Sequence, residues 1–469
     1  LAGLVLQAAF FALALGLVAT WIRHRLFVPL ALVLGAIHYT AAGHAFLSIW
    51  PPHVLLMPFL AFWVACVSVA CGRGRHLPWV LLAGSFLVHG HVAQPLFVLT
   101  LSVGAYACYW LRLWAKPAAL ANPWRAEPGP HLVAGALLVL FCVPLLLDLA
   151  GAAPSNFRAI LDHLHRNSGD RKSPLQALLY FLSFFGYMRN QDVMFATVSP
   201  GSLVFLREQF WLLLAWVIVA AVGIVGLVRS RLGMPPEARA FLRTGAVFWV
   251  VTVVLCVIWG TFQAGPMADF NGHFYFSVNY LLLLGACAVA VNWLPASLSG
   301  RGTAGVVLLS AAVVAWFGLR ATSVGENYPG LAAKQATIDA LAADPLPGKP
   351  KRLVFSADDW PQIASVALGL ERAGEKFYVD PMWLFMFERD HAGAVPAFES
   401  EAATTSVWRF TRSVPAGGIP FFDGLRLVFE PAALSPVEGE IDFSEHGNLD
   451  GYQLHGISTP SGGFAWTAQ

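Results

Sequence analysis

Two imidazoles and a carboxamide share one short polar turn, His89-Gly90-His91-Val92-Ala93-Gln94, between two apolar runs. Imidazole can bind phosphate or donate to a hydroxyl, and near neutral pH it exchanges a proton. Histidines at i and i+2 do not share a helical face, so they do not form a helix-borne metal pair. In a turn both can line one cavity. Asp148 follows Leu145, Leu146 and Leu147 at the end of another apolar run. A carboxylate there could act as a base, a metal ligand or an anchor for a hydroxyl. Arg158 and Arg166 stand near Arg171 and Lys172 in the long segment 150–207, and closely spaced cations can clamp a phosphate or diphosphate. The same stretch also reads as an amphipathic helix lying on a membrane, with Phe157, Ile160, Leu161 and Leu164 below and the charges above. The candidate substrate-binding set is therefore His89, His91, Gln94, Asp148, Arg158 and Arg166.

Other polar positions have plainer explanations. Trp50-Pro51-Pro52-His53 suits an interfacial anchor and a helix entry. His38 and His44 lie in or beside an apolar run. Asp269, Asn271, Gly272 and His273 have the composition of a turn. Asp358-Asp359 precedes a helical pattern and reads as its cap. The six cysteines all lie within or at the edge of apolar runs, so neither a disulfide framework nor a zinc spacing is present. There is no phosphate-binding loop, dinucleotide fingerprint, serine elbow or His-Glu-x-x-His. No basic patch with interleaved aromatics points to a nucleic-acid partner.

The elements that must position these residues are apolar rods. The chain has 469 residues, 57% hydrophobic and only 12% charged, with a mean hydropathy of +0.63. Soluble domains carry about 25% charged residues, so a water-soluble globular protein is excluded. The 34 Phe and 17 Trp exclude a disordered chain. Ten runs are candidate membrane spans: 1–20, 26–44, 54–71, 77–89, 94–111, 131–149, 208–228, 244–261, 275–294 and 303–320. One alternate set of connections holds twelve Lys and Arg, from Arg23 to Arg301, whereas the short loops 45–53, 90–93 and 262–274 hold none. The positive-inside rule then puts the first set in the cytoplasm, and loop 150–207 and everything after about 321 outside. The chain opens within an apolar run and lacks the charged start and cleavage site of a signal peptide. We expect the protein to continue before Leu1 and beyond Gln469.

The expected fold is mainly α: a polytopic transmembrane helix bundle of about ten spans over 1–320, with the outer loop 150–207. A small α/β extracytoplasmic domain over 321–435 follows, and 436–469 reads as the start of a truncated β-rich segment. In the tail, 351–356 reads as a strand, Trp360 to Ala373 as a helix ended by Gly374, and 376–379 as a second strand, a βαβ-type unit. Residues 406–412 and 424–430 look like further strands.

Three stretches carry a resemblance: Trp50 to Phe59, Arg75 to Pro78, and Gly84 to Pro95. They are similar to segments of bacterial GT-C-type glycosyltransferases, membrane enzymes that use polyprenyl-phosphate sugars, and of their uncharacterised relatives. The family wording is closer to Trp-Asn-Pro and Gln-x-His, so Pro51 and His89 depart from it. In the tail, Ala357 to Gln362, Leu370 to Gly374 and Val379 to Phe387 resemble the outer domain of such proteins. The resemblance implies inverting hexosyl or pentosyl transfer at the outer face of the bacterial inner membrane. Its partners are a polyprenyl-phosphate-linked sugar, membrane lipid and a glycan or lipid acceptor. A base deprotonates the acceptor hydroxyl, which attacks the anomeric carbon as lipid phosphate leaves. It leaves room for a divalent cation, Mg or Mn, beside that phosphate. The principal carboxylate is expected upstream of Leu1. The competing readings are a polysaccharide ligase or polymerase, a transporter, or a non-catalytic scaffold for envelope polysaccharide. The near absence of charge in mid-span counts against ion-coupled transport.

Overall fold

The computed structural model describes residues 2–42, 51–115, 127–151, 171–187, 207, 209–229, 234–263, 267, 269–294, 300–326, 331–342, 351–355, 360–379, 406–411, 419–420, 426–430, 454–458 and 464–468. They divide between two compact units, Leu1–Ser323 and Val324–Gln469.

The first unit is helical. Its helices are α1 (Ala2–Ala19), α2 (Phe27–Ala41), α3 (Pro51–Val54), α4 (Leu56–Ala70), α5 (Leu77–Gly90), α6 (Gln94–Trp114), α7 (Pro128–Ala150), α8 (Pro174–Ser183), α9 (Phe210–Arg229), α10 (Pro236–Thr261), α11 (Tyr275–Val291) and α12 (Gly300–Glu326). Every apolar run thus folds as a helix. Among the described residues, five segments are long and apolar enough to cross a membrane: Pro52–Ala70, Gln94–Trp114, Pro128–Ala150, Phe210–Arg229 and Pro236–Thr261.

Two helices depart from the sequence expectation. α10 begins at Pro236, before the apolar run, because Pro235 and Pro236 preset its entry and Glu237 meets the positive end of its dipole. α8 lies inside what reads as a loop. Ser173 and Gln176 close a reciprocal capping box at its start, and its Ala177 lies against Gly260 of α10.

α4 is the axis of the unit, and every one of its residues is buried. It packs against α1, α5 and α6. Between apolar helices there is little hydrophobic drive in lipid, so close packing and cross-helix hydrogen bonds hold them, at about 0.6–2 kcal/mol per bond. Trp63 Nε1 donates to Thr252 Oγ1 at 2.9 Å, joining α4 to α10. Tyr280 donates to the Ala31 carbonyl at 2.5 Å, joining α11 to α2, and a Cβ on Gly35 would meet Phe11 and that same tyrosine. The outward faces of α7 and α9 are apolar, with Leu140, Leu147, Trp211 and Ile224 all more than half exposed. Such a surface suits lipid contact.

In the second unit, α13 (Leu331–Ala342) and α14 (Trp360–Arg372) accompany the strands β1 (Lys351–Val354), β2 (Phe377–Val379), β3 (Ser406–Thr411), β4 (Ile419–Pro420) and β5 (Arg426–Glu430). The sheet order is β2-β1-β3-β5-β4. β1 runs parallel to both β2 and β3, and β5 is antiparallel to β3 and β4. α14 connects β1 to β2, and its Ile363, Val366 and Leu370 are buried with Leu353, Phe377 and Trp408. Lys351 is 1% exposed and its Nζ meets Glu375 Oε2 at 2.6 Å, which makes its burial affordable. β6 (Leu454–Ser458) and β7 (Phe464–Ala468) form an antiparallel pair.

Candidate functional site

Contacts between turns define two ends of the helical unit. At the first end, Arg73 hydrogen-bonds to the Thr20 hydroxyl and, at 3.2 Å, to its carbonyl. Its guanidinium lies 3.5 Å from the centre of the Trp21 ring and 3.8 Å from Glu237, which also faces Arg23 at 3.6 Å. Trp21 Nε1 donates to Ser68 Oγ at 2.8 Å, and Ser68 Oγ meets His76 Nδ1 at 2.7 Å. Burial, with Arg75 and Arg73 adding to it, pushes the His76 pKa down to about 4. The imidazole is therefore neutral at physiological pH, and its Nδ1 accepts the serine proton. These groups complete one another, as buried polar groups usually do.

The opposite end is built from the turns at 51–55 and 91–93 and from residues 263 and 269–273. Gln7 Nε2 donates to the His53 carbonyl at 3.0 Å, and Gln7 Oε1 accepts from the Met57 amide at 3.2 Å, so α1 grips the α3–α4 corner. His53 Nε2 and His273 Nε2 are 3.2 Å apart, and one ring must donate while the other accepts. Burial, and then His53, pushes the His273 pKa down to about 3. Next to this pair, His91 Nδ1 accepts from the Ala93 amide at 3.1 Å, closing the turn. Burial lowers the His91 pKa, opposed by a hydrogen bond to Asn271. A neutral imidazole that accepts at Nδ1 carries its proton on Nε2, so His91 is the donor to Asn271. Asn271 Nδ2 in turn donates to Gln263 Oε1 at 3.3 Å.

That relay leaves atoms over. Gln94 is completely buried, and neither its Nε2 nor its Oε1 has a hydrogen-bond partner. Gln263, 3% exposed, has none for Nε2, and Trp259 has none for Nε1. The Trp259 ring lies 6.3 Å from that of His91, and the Gln94 amide bonds to the His91 carbonyl at 3.0 Å. Each buried polar group left in this state costs about 1–3 kcal/mol. A cation borders the group: the Arg171 guanidinium lies 5.0 Å from the centre of the Phe262 ring, where Lys172 N donates to the Thr261 carbonyl at 3.1 Å.

Of the residues singled out from sequence, His91 and Gln94 belong to this group. His89 is exposed, and its Nε2 bonds to the Phe141 carbonyl of α7 at 2.8 Å. Asp148 is on the same helix seven residues further on, about 10 Å along the axis. Arg158 and Arg166 lie outside the described residues, as does His44. His38 is satisfied at both nitrogens, by Tyr187 Oη at 3.0 Å and the Phe276 carbonyl at 2.8 Å. It holds Tyr187, whose φ is +54°, against α11. Gln7, Trp259 and Gln263 were not singled out; their signal is a lone amide or indole at the edge of an apolar run. No three His, Cys, Asp or Glu side chains converge among the described residues. No family model, no curated protein and no solved structure matches this chain.

Proposed function

We propose that the chain is an outer-face membrane glycosyltransferase that moves a sugar from a polyprenyl-phosphate carrier to an envelope glycan or lipid acceptor. In this reading the ten apolar helices all span the bacterial inner membrane. The arginine-bearing end faces the cytoplasm. The end holding His91 and Gln94, together with an α/β domain formed by the second unit, faces outward.

One observation carries the reading. An uncharged hydrogen-bonding group made by His91, Gln94, Asn271, Gln263 and Trp259 sits beside the cation Arg171, at the end of the bundle away from Arg73. A lipid-linked sugar phosphate presents the complementary pattern: neutral hydroxyls, an adjacent anion and a chain that stays in lipid. His91 and Gln94 bind and orient hydroxyls. The burial that lowers the His91 pKa makes it a weak base, so it does not take the acceptor's proton. Arg171, with Arg158 and Arg166, neutralises the leaving phosphate.

The test is transfer by the full chain in lipid vesicles, supplied with radiolabelled polyprenyl-phosphate sugars. Expected is label in a glycan or lipid product, lowered tenfold or more (about 1.4 kcal/mol) by His91→Ala or Arg171→Gln. Absence of product with every donor supports a scaffold instead. Access mapping that finds Ser400 on the same face as Ala240 overturns the orientation.

A further inference from the structure

We infer that Gln94, Gln263 and Trp259 form a binding site for an uncharged, hydroxyl-rich ring, and that this site rejects rings carrying a carboxylate or an ammonium group. The inference starts from atoms left unused. Gln94 Nε2, Gln263 Nε2 and Trp259 Nε1 are three donors, Gln94 Oε1 is an acceptor, and all four are buried without a partner. They come from two distant stretches of chain, brought to one turn cluster by the bonds from His91 to Asn271 and from Asn271 to Gln263. A ligand that supplies both donors and acceptors would match the groups from both stretches. A hydroxyl does both from a single atom, and several on one ring can meet amides on different helices.

The chemistry of the lining sets the sign of the selection. Amide, indole and neutral imidazole present dipoles and no net charge. A charged substituent entering here loses its hydration and gains no counter-ion. Arg171 stands over Phe262, next in sequence to Gln263, where it can meet the phosphate that links the ring to its carrier and not a substituent of the ring. Identifying the ring as the transferred sugar rests on the transferase reading; the site for a neutral polyol does not.

The full chain in lipid nanodiscs is titrated with methyl glucoside, methyl galactoside and methyl mannoside, and with methyl glucuronide and methyl glucosaminide as charged counterparts. Saturation-transfer NMR and tryptophan fluorescence report binding. At least one neutral glycoside is expected to bind with a Kd of about 1–10 mM, and its charged counterparts at least about tenfold more weakly. Gln94→Leu and Gln263→Leu should each weaken that binding about tenfold, with the thermal midpoint unchanged or raised, because leucine removes an unmatched amide from an apolar setting. A structural amide would behave oppositely, with a lowered midpoint and unchanged binding. The inference is overturned if no neutral glycoside binds below about 50 mM, if charged and neutral rings bind alike, or if both leucine variants melt lower. Binding with the expected variant pattern but no sugar transfer sinks the transferase reading alone. Transfer that survives both leucine substitutions sinks this inference alone.

Discussion

The two ends of the helical bundle both bury polar side chains. Arg73, Trp21, Ser68 and His76 at one end complete each other's hydrogen bonds, whereas Gln94, Gln263 and Trp259 at the other do not. The first arrangement is what stability alone selects. The second leaves binding capacity unused inside the fold, which selection for stability removes unless function needs it. Substitution should therefore lower stability in the Arg73 cluster and spare it at Gln94 and Gln263.

The largest effect is expected from Arg73→Met. It removes two hydrogen bonds to Thr20, the stacking on Trp21 and the pairing with Glu237, and should lower stability by about 3 kcal/mol, read as a fall in the thermal midpoint in nanodiscs. An unchanged midpoint would erase the contrast between the ends. Ser68→Ala comes next. It strands the Trp21 indole N–H and His76 Nδ1 together, for a loss of about 1–2 kcal/mol. Replacing His76 with Gln in the same background should add little, because the two residues act through one relay.

Acidification reaches both ends at once. His76 and His273 titrate at about 4 and about 3 in the folded chain, below the ordinary 6.5. The unfolded chain therefore binds more protons below pH 6.5. Stability is full above that value and falls as the pH drops through the acidic range. Thermal midpoints should decline between about pH 6.5 and pH 4, and a flat profile would mean that neither imidazole is held neutral. The smallest effect is assigned to His89→Ala. Its single bond to the Phe141 carbonyl is exposed, so a loss of about 0.5 kcal/mol is expected. If that substitution abolished glycoside binding, the site would extend to α7 and Asp148.

Much of the fold was legible because its signals are local. Long, predominantly apolar runs mark α1, α2, α6, α9 and α11. Alternation and helical spacing mark β1, α14 and β2 almost to the residue. α10 looks shorter in the sequence than it is because Glu237, Arg239 and Arg243 interrupt the apolar pattern without interrupting the helix. α8 falls in a stretch that reads as a loop, although Ser173 and Gln176 spell out its cap. The placement of β3 beside β1, on the side away from β2, had no local signal at all. At the candidate site, His91 and Gln94 stood out as polar residues in an apolar setting. Gln263 and Trp259 belong with them only through contacts of His91 with Trp259 and Asn271, each spanning some 170–180 residues.

Composition and charge placement by themselves determined that this is a bundle of apolar helices with an arginine-rich end and an arginine-poor end. Apolar length and the positions of arginine are additive, short-range properties that need no partner. Whether a buried amide is satisfied depends on atoms from elsewhere in the chain. Only the packed structure could decide that Ser68 closes a relay while Gln94 keeps both its hydrogen-bonding atoms unused.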